Sequence, residues 1–303
     1  MNGENNQIPI QEILKIFWRD RLLFFLMVFI FAASSVIISL LIPNQYTASG
    51  TYQINEDESA SSLSSIANQF GGLASLGGLS LPDSADKSDF AVLYLKSKDL
   101  LEHLLTFNGN REKLFAAKSF DHEKNKIIYD KKLYNEQKNK WVRKTKLNQK
   151  LVPSHIEVHK EIIEKKLRVK KDRQTGFITI EFTHYSPVFA KNFIDLMVRE
   201  LNYISRKKDL EKSQYAQDYL NKKLLKVQEV DLRQSIAKMI EVQLNKEMIA
   251  YVYDQYVLVS IDSPVIPEKK SWPQRSLIVI LATFLGILVS IVVVLIRHYY
   301  CKN

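Results

Sequence analysis

The sequence has a single cysteine, Cys301, so the chain cannot close a disulfide bond with itself. It also lacks the glycine-rich patterns G-x-x-x-x-G-K-[ST] and G-x-G-x-x-G, whose backbones cradle nucleotide phosphates. Its serine and aspartate residues show no nucleophile-elbow context. We therefore predict a protein held together by a hydrophobic core, with no catalytic residue, no cofactor and no enzyme activity.

The sequence also offers little for a metal site. His155 and His159 are one helical turn apart, a spacing that can hold zinc. The zinc-protease pattern, however, needs glutamate directly after the first histidine, and this chain has Ile156 there. Lys160 and Lys165 lie close by and would repel a cation. A solvent-facing helix with no metal is the prediction here.

Two long apolar runs stand at the ends of the chain, Leu22–Ile42 and Ser276–Ile296. Each has 21 residues without Asp, Glu, Lys, Arg or His, and a helix of that length is roughly 31 Å long, enough to cross a bilayer. A cleaved signal peptide is the alternative for the first run. Such a peptide has a shorter apolar core and a small-x-small cleavage site, so we predict an uncleaved anchor.

Charge near the first run predicts the orientation. Lys15, Arg19 and Arg21 precede it, whereas residues 43–62 contain no Lys or Arg. The positive-inside rule then places both termini in the cytoplasm and the mass between the runs on the far side of the inner membrane, in the periplasm. Basic residues flank the second run on both sides, so their charges say little about the orientation of that helix. Although the net charge is +10, an exported body makes nucleic acid an improbable partner.

The exported part begins and ends with predicted strands, Tyr46–Ile54 and Tyr256–Ile261, which could pair with each other. Between them, the Ser- and Gly-rich residues 58–89 predict a loop, and residues 88–105 show helical spacing. Residues 167–170 and 177–183 alternate as strands around a turn that contains Gly176. The pair Ser186-Pro187 is typical of a helix start.

Residues 188–263 contain neither glycine nor proline. Apolar stripes run along both halves of this stretch, separated by the polar residues 205–214. One interpretation is a turn at 205–214 between two helices. Because no helix-breaking residue occurs, we favour one continuous helix over about 187–258.

Residues 111–150 carry 13 Lys or Arg and five acidic residues, a net charge of +8, with Tyr129, Tyr134 and Trp141 interleaved. This composition has two interpretations: a groove for an anionic glycan or phospholipid headgroups, or a solvated surface with a few anchoring aromatic side chains. We favour the second.

The second apolar run has a small-residue ridge, Ala282, Gly286 and Ser290, spaced four apart on one helix face. Such ridges let another helix approach closely, and we predict that membrane helices of several copies pack there. Just before the run, three prolines and an arginine predict a stiff, extended membrane-proximal joint: Pro264, Pro267, Pro273 and Arg275.

Several of these segments, in this order between two terminal membrane runs, resemble the Wzz-type polysaccharide chain-length determinants, or polysaccharide co-polymerases, of bacterial inner membranes. The matching segments are Tyr46–Ser49, Gln69–Gly77, Tyr129–Asn135, Lys140–Arg143, Lys171–Gly176, His184–Pro187, Leu232–Gln234, Met248–Val252, Tyr256–Asp262, Pro264–Pro267 and Pro273–Arg275.

The resemblance implies an α+β membrane protein in which two transmembrane helices flank a periplasmic α/β base with one very long extended helix. The implied segments are 1–21 cytoplasmic, 22–42 transmembrane, 43–275 periplasmic, 276–296 transmembrane and 297–303 cytoplasmic. It further implies a homo-oligomeric ring that sets the length of a lipid-linked polysaccharide, usually O antigen, made by a separate Wzy-type polymerase.

Some relatives carry or recruit a tyrosine kinase. The seven residues after the second run are too few for a nucleotide site, so we predict a member without a fused kinase. An adaptor that activates a separate kinase in capsule or exopolysaccharide synthesis remains the alternative. A two-span sensor is a third class, but the sequence shows no cytoplasmic output domain.

Overall fold

The computed structural model describes residue 18 and residues 20–55, 84–145 and 149–300, without the side chains of 84–87 and 298–300. The predicted loop at 58–89 thus lies almost wholly outside the described residues. The chain forms two compact units. We call Met1–Gln45 with Lys270–Asn303 the membrane unit, and Tyr46–Lys269 the body.

Helices dominate the described residues, and short strands lie between them. The helices are α1 Arg21–Leu41, α2 Ser84–Leu95, α3 Lys98–Leu104, α4 Asn110–Phe115, α5 His155–Lys165, α6 Pro187–Leu224, α7 Val230–Val252 and α8 Arg275–Tyr300. The strands are β1 Tyr46–Ile54, β2 Ala117–Asp121, β3 Lys126–Tyr129, β4 Tyr134–Asn135, β5 Lys140–Trp141, β6 Leu167–Lys171, β7 Ile178–His184 and β8 Leu258–Asp262.

The membrane unit consists of α1 and α8, which correspond to the two predicted apolar runs. Each begins one residue before its run, and α8 extends four residues beyond it. Both helices are long and apolar enough to cross a membrane. They fit a two-pass membrane protein.

The body contains a four-stranded antiparallel sheet in the order β6-β7-β1-β8. The predicted pairing of the first and last strands is confirmed, with Ile54 opposite Leu258. The predicted hairpin is confirmed as β6 and β7, and Gly176 in its turn has a φ of +72°. Glycine adopts this left-handed conformation without steric cost.

Helix α6 covers one face of the sheet. Its start is as predicted, because the Ser186 side chain accepts a hydrogen bond from the Phe189 N–H and Pro187 occupies the first turn. Its buried residues recur every three or four positions, as an amphipathic helix requires: Ala190, Phe193, Ile194, Met197 and Leu201. The rings of Phe193 and Phe182 on β7 lie 4.5 Å apart. Burying a large apolar side chain such as Phe193 or Leu201 stabilises the fold by about 1.5–3 kcal/mol.

The prediction of one continuous helix over 187–258 is wrong. Helix α6 ends at Leu224, α7 begins at Val230, and α7 runs back antiparallel along α6. Contacts such as Ser213 with Gln243 and Arg206 with Asp254 hold the pair together. The absence of glycine and proline permits a continuous helix but does not require one. Packing of α7 against α6 stabilises the reversed arrangement instead. We call this pair the helical hairpin.

The alternative, a turn at 205–214, is also wrong, because these residues lie within α6. The 38 residues of α6 give a helix roughly 57 Å long, so a long helix is indeed present. The helix predicted over 88–105 is interrupted as well. The side chain of Ser97 accepts a hydrogen bond from the Leu100 N–H and starts the separate helix α3.

Candidate functional site

The small-residue ridge of α8 faces α1 of the same chain. Gly286 and Ser290 are buried, and Ala282 is half-buried. A Cβ added at Gly286 would lie only 2.7 Å from Cβ of Phe31 on α1, so a larger residue cannot fit without moving one helix. Close approach of a second helix thus depends on this glycine. Packing between copies at the ridge stays a prediction.

Ser35 and Ser39 form the corresponding small-residue positions on α1, which our reading of the sequence did not single out. Both are buried. The Ser35 hydroxyl donates to the Ala32 carbonyl at 2.8 Å, and Ser290 does the same to Ile287. Their spacing of four residues in an apolar run was the signal that could have identified them.

Replacing Gly286 with leucine is expected to separate α1 from α8, because the new side chain would overlap Phe31. The resemblance to chain-length determinants then predicts that the size distribution of the surface polysaccharide broadens while the protein still reaches the membrane. The measurement is gel electrophoresis of the polysaccharide from cells that carry the variant.

The control is Val292→Leu, at a position where the side chain is exposed. It should leave the size distribution unchanged. A Gly286→Leu strain with the parental band pattern would contradict a role for the close approach.

The predicted membrane-proximal joint divides between the two units. Pro264 and Pro267 belong to the body, and Pro273 and Arg275 to the membrane unit. Within the membrane unit, Arg275 donates to Asn44 Oδ1 at 3.1 Å. Gln45 and Trp272 form an isolated β-bridge beside it, so the chain segments that leave α1 and enter α8 are hydrogen-bonded to each other.

Two short hairpins, β2–β3 and β4–β5, form the basic stretch, and we call residues 117–141 the basic double hairpin. Tyr134 and Trp141 are buried against Ala116 in a small cluster of their own. Their ring centroids are 5.3 Å apart. These aromatic side chains anchor the hairpins rather than face solvent.

Arg143 fastens the end of the basic double hairpin to helix α5. Its guanidinium contacts the Glu157 carboxylate through two nitrogens, at 2.5 and 3.1 Å. It also donates to the carbonyls of Lys150 and Leu151. Hydrogen bonding from Arg143 holds the pKa of Glu157 below its usual value. Nothing in the sequence singled out this ion pair.

His184, in the segment that precedes α6, is fully buried and neutral. Burial, with a smaller contribution from Lys166, lowers its pKa to about 3. Its Nε2–H donates to the Lys113 carbonyl, and its Nδ1 accepts from the Ser186 N–H. Burial also lowers the pKa of Lys166 to about 8, and its amine donates to the Leu114 carbonyl. These bonds join α4 to the sheet and to the start of α6.

The two histidines considered as metal ligands have separate partners. His159 contacts the Lys96 carbonyl at 2.7 Å, and His155 lies 3.4 Å from Glu102. Within the described ranges no group of three or more His, Cys, Asp or Glu side chains could hold a metal ion.

Asn202 links α6 to the last strand. Its side chain accepts from the N–H groups of Val257 and Leu258 and donates to the Leu258 carbonyl. It is buried, so all three bonds are shielded from water. These three hydrogen bonds fix α6 to the start of β8.

Two protein-family models match the chain. The Wzz model, described as "Chain length determinant protein", matches residues 6–106. The GNVR model, described as "G-rich domain on putative tyrosine kinase", matches residues 229–299. The chain thus contains a segment of the Wzz chain-length determinant family followed by a GNVR segment. This agrees with the family that the sequence segments predicted.

Three solved structures of polysaccharide co-polymerases are similar to this chain over most of its length. A full-length bacterial polysaccharide co-polymerase is 12% identical, with 96% of this chain and 97% of that one covered and a TM-score of 0.43. A fragment of WzzB, polysaccharide co-polymerase from Salmonella Typhimurium, is 10% identical, covers 76% and 100%, and has a TM-score of 0.32. A mutant of the Shigella flexneri lipopolysaccharide O-antigen chain-length regulator is 9% identical, covers 75% and 100%, and has a TM-score of 0.25.

A search of curated proteins finds no match.

Proposed function

We propose that this protein regulates the length of a bacterial surface polysaccharide, most simply the O antigen of lipopolysaccharide, without catalysing a reaction. Several copies assemble into a ring that acts as a scaffold for a separate Wzy-type polymerase. The match of residues 6–106 to the chain-length determinant model is the observation that carries the proposal. The body lies in the periplasm, with both termini in the cytoplasm.

The architecture supports this role in one respect. The body is joined to an apolar helix at each end, so it stays at the membrane where lipid-linked sugar chains are made. The polymerase is the partner whose timing such an assembly would set.

Deletion of the gene is expected to change the size distribution of the surface polysaccharide from a preferred length to a broad range. The amount of exported sugar should remain similar, because the polymerase is a separate protein. Gel electrophoresis of the extracted polysaccharide measures both quantities. An unchanged band pattern would disprove the proposed function.

A second candidate function is an adaptor that activates a separate tyrosine kinase in capsule or exopolysaccharide synthesis. The match of residues 229–299 to the GNVR model favours it. The same deletion strain distinguishes the two. Loss of tyrosine phosphorylation with an unchanged polysaccharide length would select the adaptor.

A further inference from the structure

The two turns of the basic double hairpin form one continuous surface. Residues 122–125 connect β2 to β3, and residues 136–139 connect β4 to β5. Lys126 in the first hairpin pairs with Glu136 in the second at 2.8 Å, which brings the two turns side by side. Lys124 and Lys138 lie within the turns and are exposed.

Most lysines on this surface have no acidic partner. Six exposed amines form no ion pair with any residue that the structure describes: Lys118, Lys124, Lys131, Lys132, Lys138 and Lys140. Two nearby carboxylates are used to build turns. Asp121 accepts from the N–H groups of Glu123 and Lys124, and Asp130 accepts from that of Lys132. The surface therefore keeps an excess of positive charge.

Covalent structure places this surface at the end of the body that is tied to the membrane. Tyr46, the first residue of β1, bonds through its hydroxyl to Nε2 of His122 in the first turn, at 2.8 Å. Tyr46 is also only five residues beyond Leu41, where α1 ends. Five residues span at most about 18 Å, so only a short stretch of chain connects Tyr46 to the end of α1.

We propose that the two turns bind the phosphate headgroups of anionic membrane lipids. At physiological ionic strength, salt screens the negative charge of a bilayer over about 8 Å. Only amines at the edge of the body that is joined to the membrane helix can therefore be attracted to that charge. The aromatic side chains Tyr134 and Trp141 are buried and offer no ring face to a sugar. Sugar rings usually bind against exposed aromatic faces, so lipid phosphate suits this surface better than a glycan.

The test is lysine acetylation of the full chain in nanodiscs. One set of discs contains phosphatidylcholine alone, and the other contains phosphatidylcholine with phosphatidylglycerol. Lys124 and Lys138 should be acetylated about threefold to fivefold more slowly in the anionic discs, and high salt should abolish the difference. Lys222, in the last turn of α6, and Lys226, two residues beyond the end of α6, provide internal references and should react equally in both.

Paired variants separate charge from folding. Lys124→Ser with Lys138→Ser should remove most of the lipid-dependent protection of Lys118 and Lys131. The matched pair Lys222→Ser with Lys226→Ser makes the same change in net charge and should leave it intact. All four positions are exposed, so both proteins should fold.

Two results would overturn the inference. Equal acetylation rates of Lys124 and Lys138 in both kinds of disc would show that anionic headgroups do not protect the surface. Protection in neutral discs upon addition of inorganic phosphate would assign the surface to soluble phosphate instead. Neither of these results depends on polysaccharide length, so they leave the proposed function untouched.

Discussion

Replacing Arg143 with methionine is expected to lower the free energy of unfolding of the body by about 1–3 kcal/mol, the usual cost of leaving hydrogen-bonding groups without their partner. Arg143 is only 7% exposed. Methionine fills similar space but leaves the Glu157 carboxylate and the carbonyls of Lys150 and Leu151 without their donor. The basic double hairpin would lose its main tie to α5.

Denaturant unfolding of the detergent-solubilised full chain measures the loss, and hydrogen exchange of residues 117–144 locates it. Arg173→Met is the matched control, because Arg173 is exposed in the β6–β7 turn. It should cost less than about 0.5 kcal/mol. Equal stability of the two variants would contradict the importance of the Arg143–Glu157 pair.

Acid is expected to destabilise the body from about pH 6.5 downward, because an unfolded histidine binds a proton below that pH and folded His184 does not. Its folded pKa is lowered to about 3. The free energy of unfolding therefore falls by about 1.4 kcal/mol for each pH unit between about pH 6.5 and about pH 3. Above about pH 6.5, His184 adds no pH dependence to the stability. Lys166 and Lys113 face the ring and add to the cost of protonating it.

Glu157 acts in a different pH window. Its folded pKa is lowered, so its contribution is complete above the pKa of an unfolded glutamate and is lost as the pH falls through the folded value. Measurements between about pH 6.5 and pH 5 thus report on histidine alone.

His184→Phe is the diagnostic variant for this pH dependence. At neutral pH it should be less stable than the parent, because the Lys113 carbonyl and the Ser186 N–H lose their partner. Below about pH 6.5, its free energy of unfolding should change less steeply with pH than that of the parent. His155→Gln, which changes a half-buried histidine, should keep the parental slope. An unchanged slope in His184→Phe would assign the acid sensitivity to another group.

Features set by local sequence could be predicted well. The strand over 46–54 has the predicted bounds, and both membrane helices match the uncharged runs within a few residues. The start of α6 follows from the serine and proline at 186 and 187. Each of these is decided by side chains within a few residues of one another.

Features set by distant contacts could not be predicted. The reversal after Leu224 depends on packing between helices, and no breaker residue marks it. Strands β4 and β5 have two residues each, too few for any periodic signal, and depend on the contact of Tyr134 with Trp141. The Arg143–Glu157 pair joins residues whose types are common on any surface. Sequence alone does not specify such partners.

The neighbouring positions of β1 and β8 in the sheet also govern how the protein is made. Strand β1 emerges early in synthesis, whereas β8 follows about two hundred residues later. One side of β1 therefore remains an open edge until nearly all of the chain has been made. Open edges invite pairing with foreign strands, so β1 is exposed to mispairing while the last strand is still being synthesised.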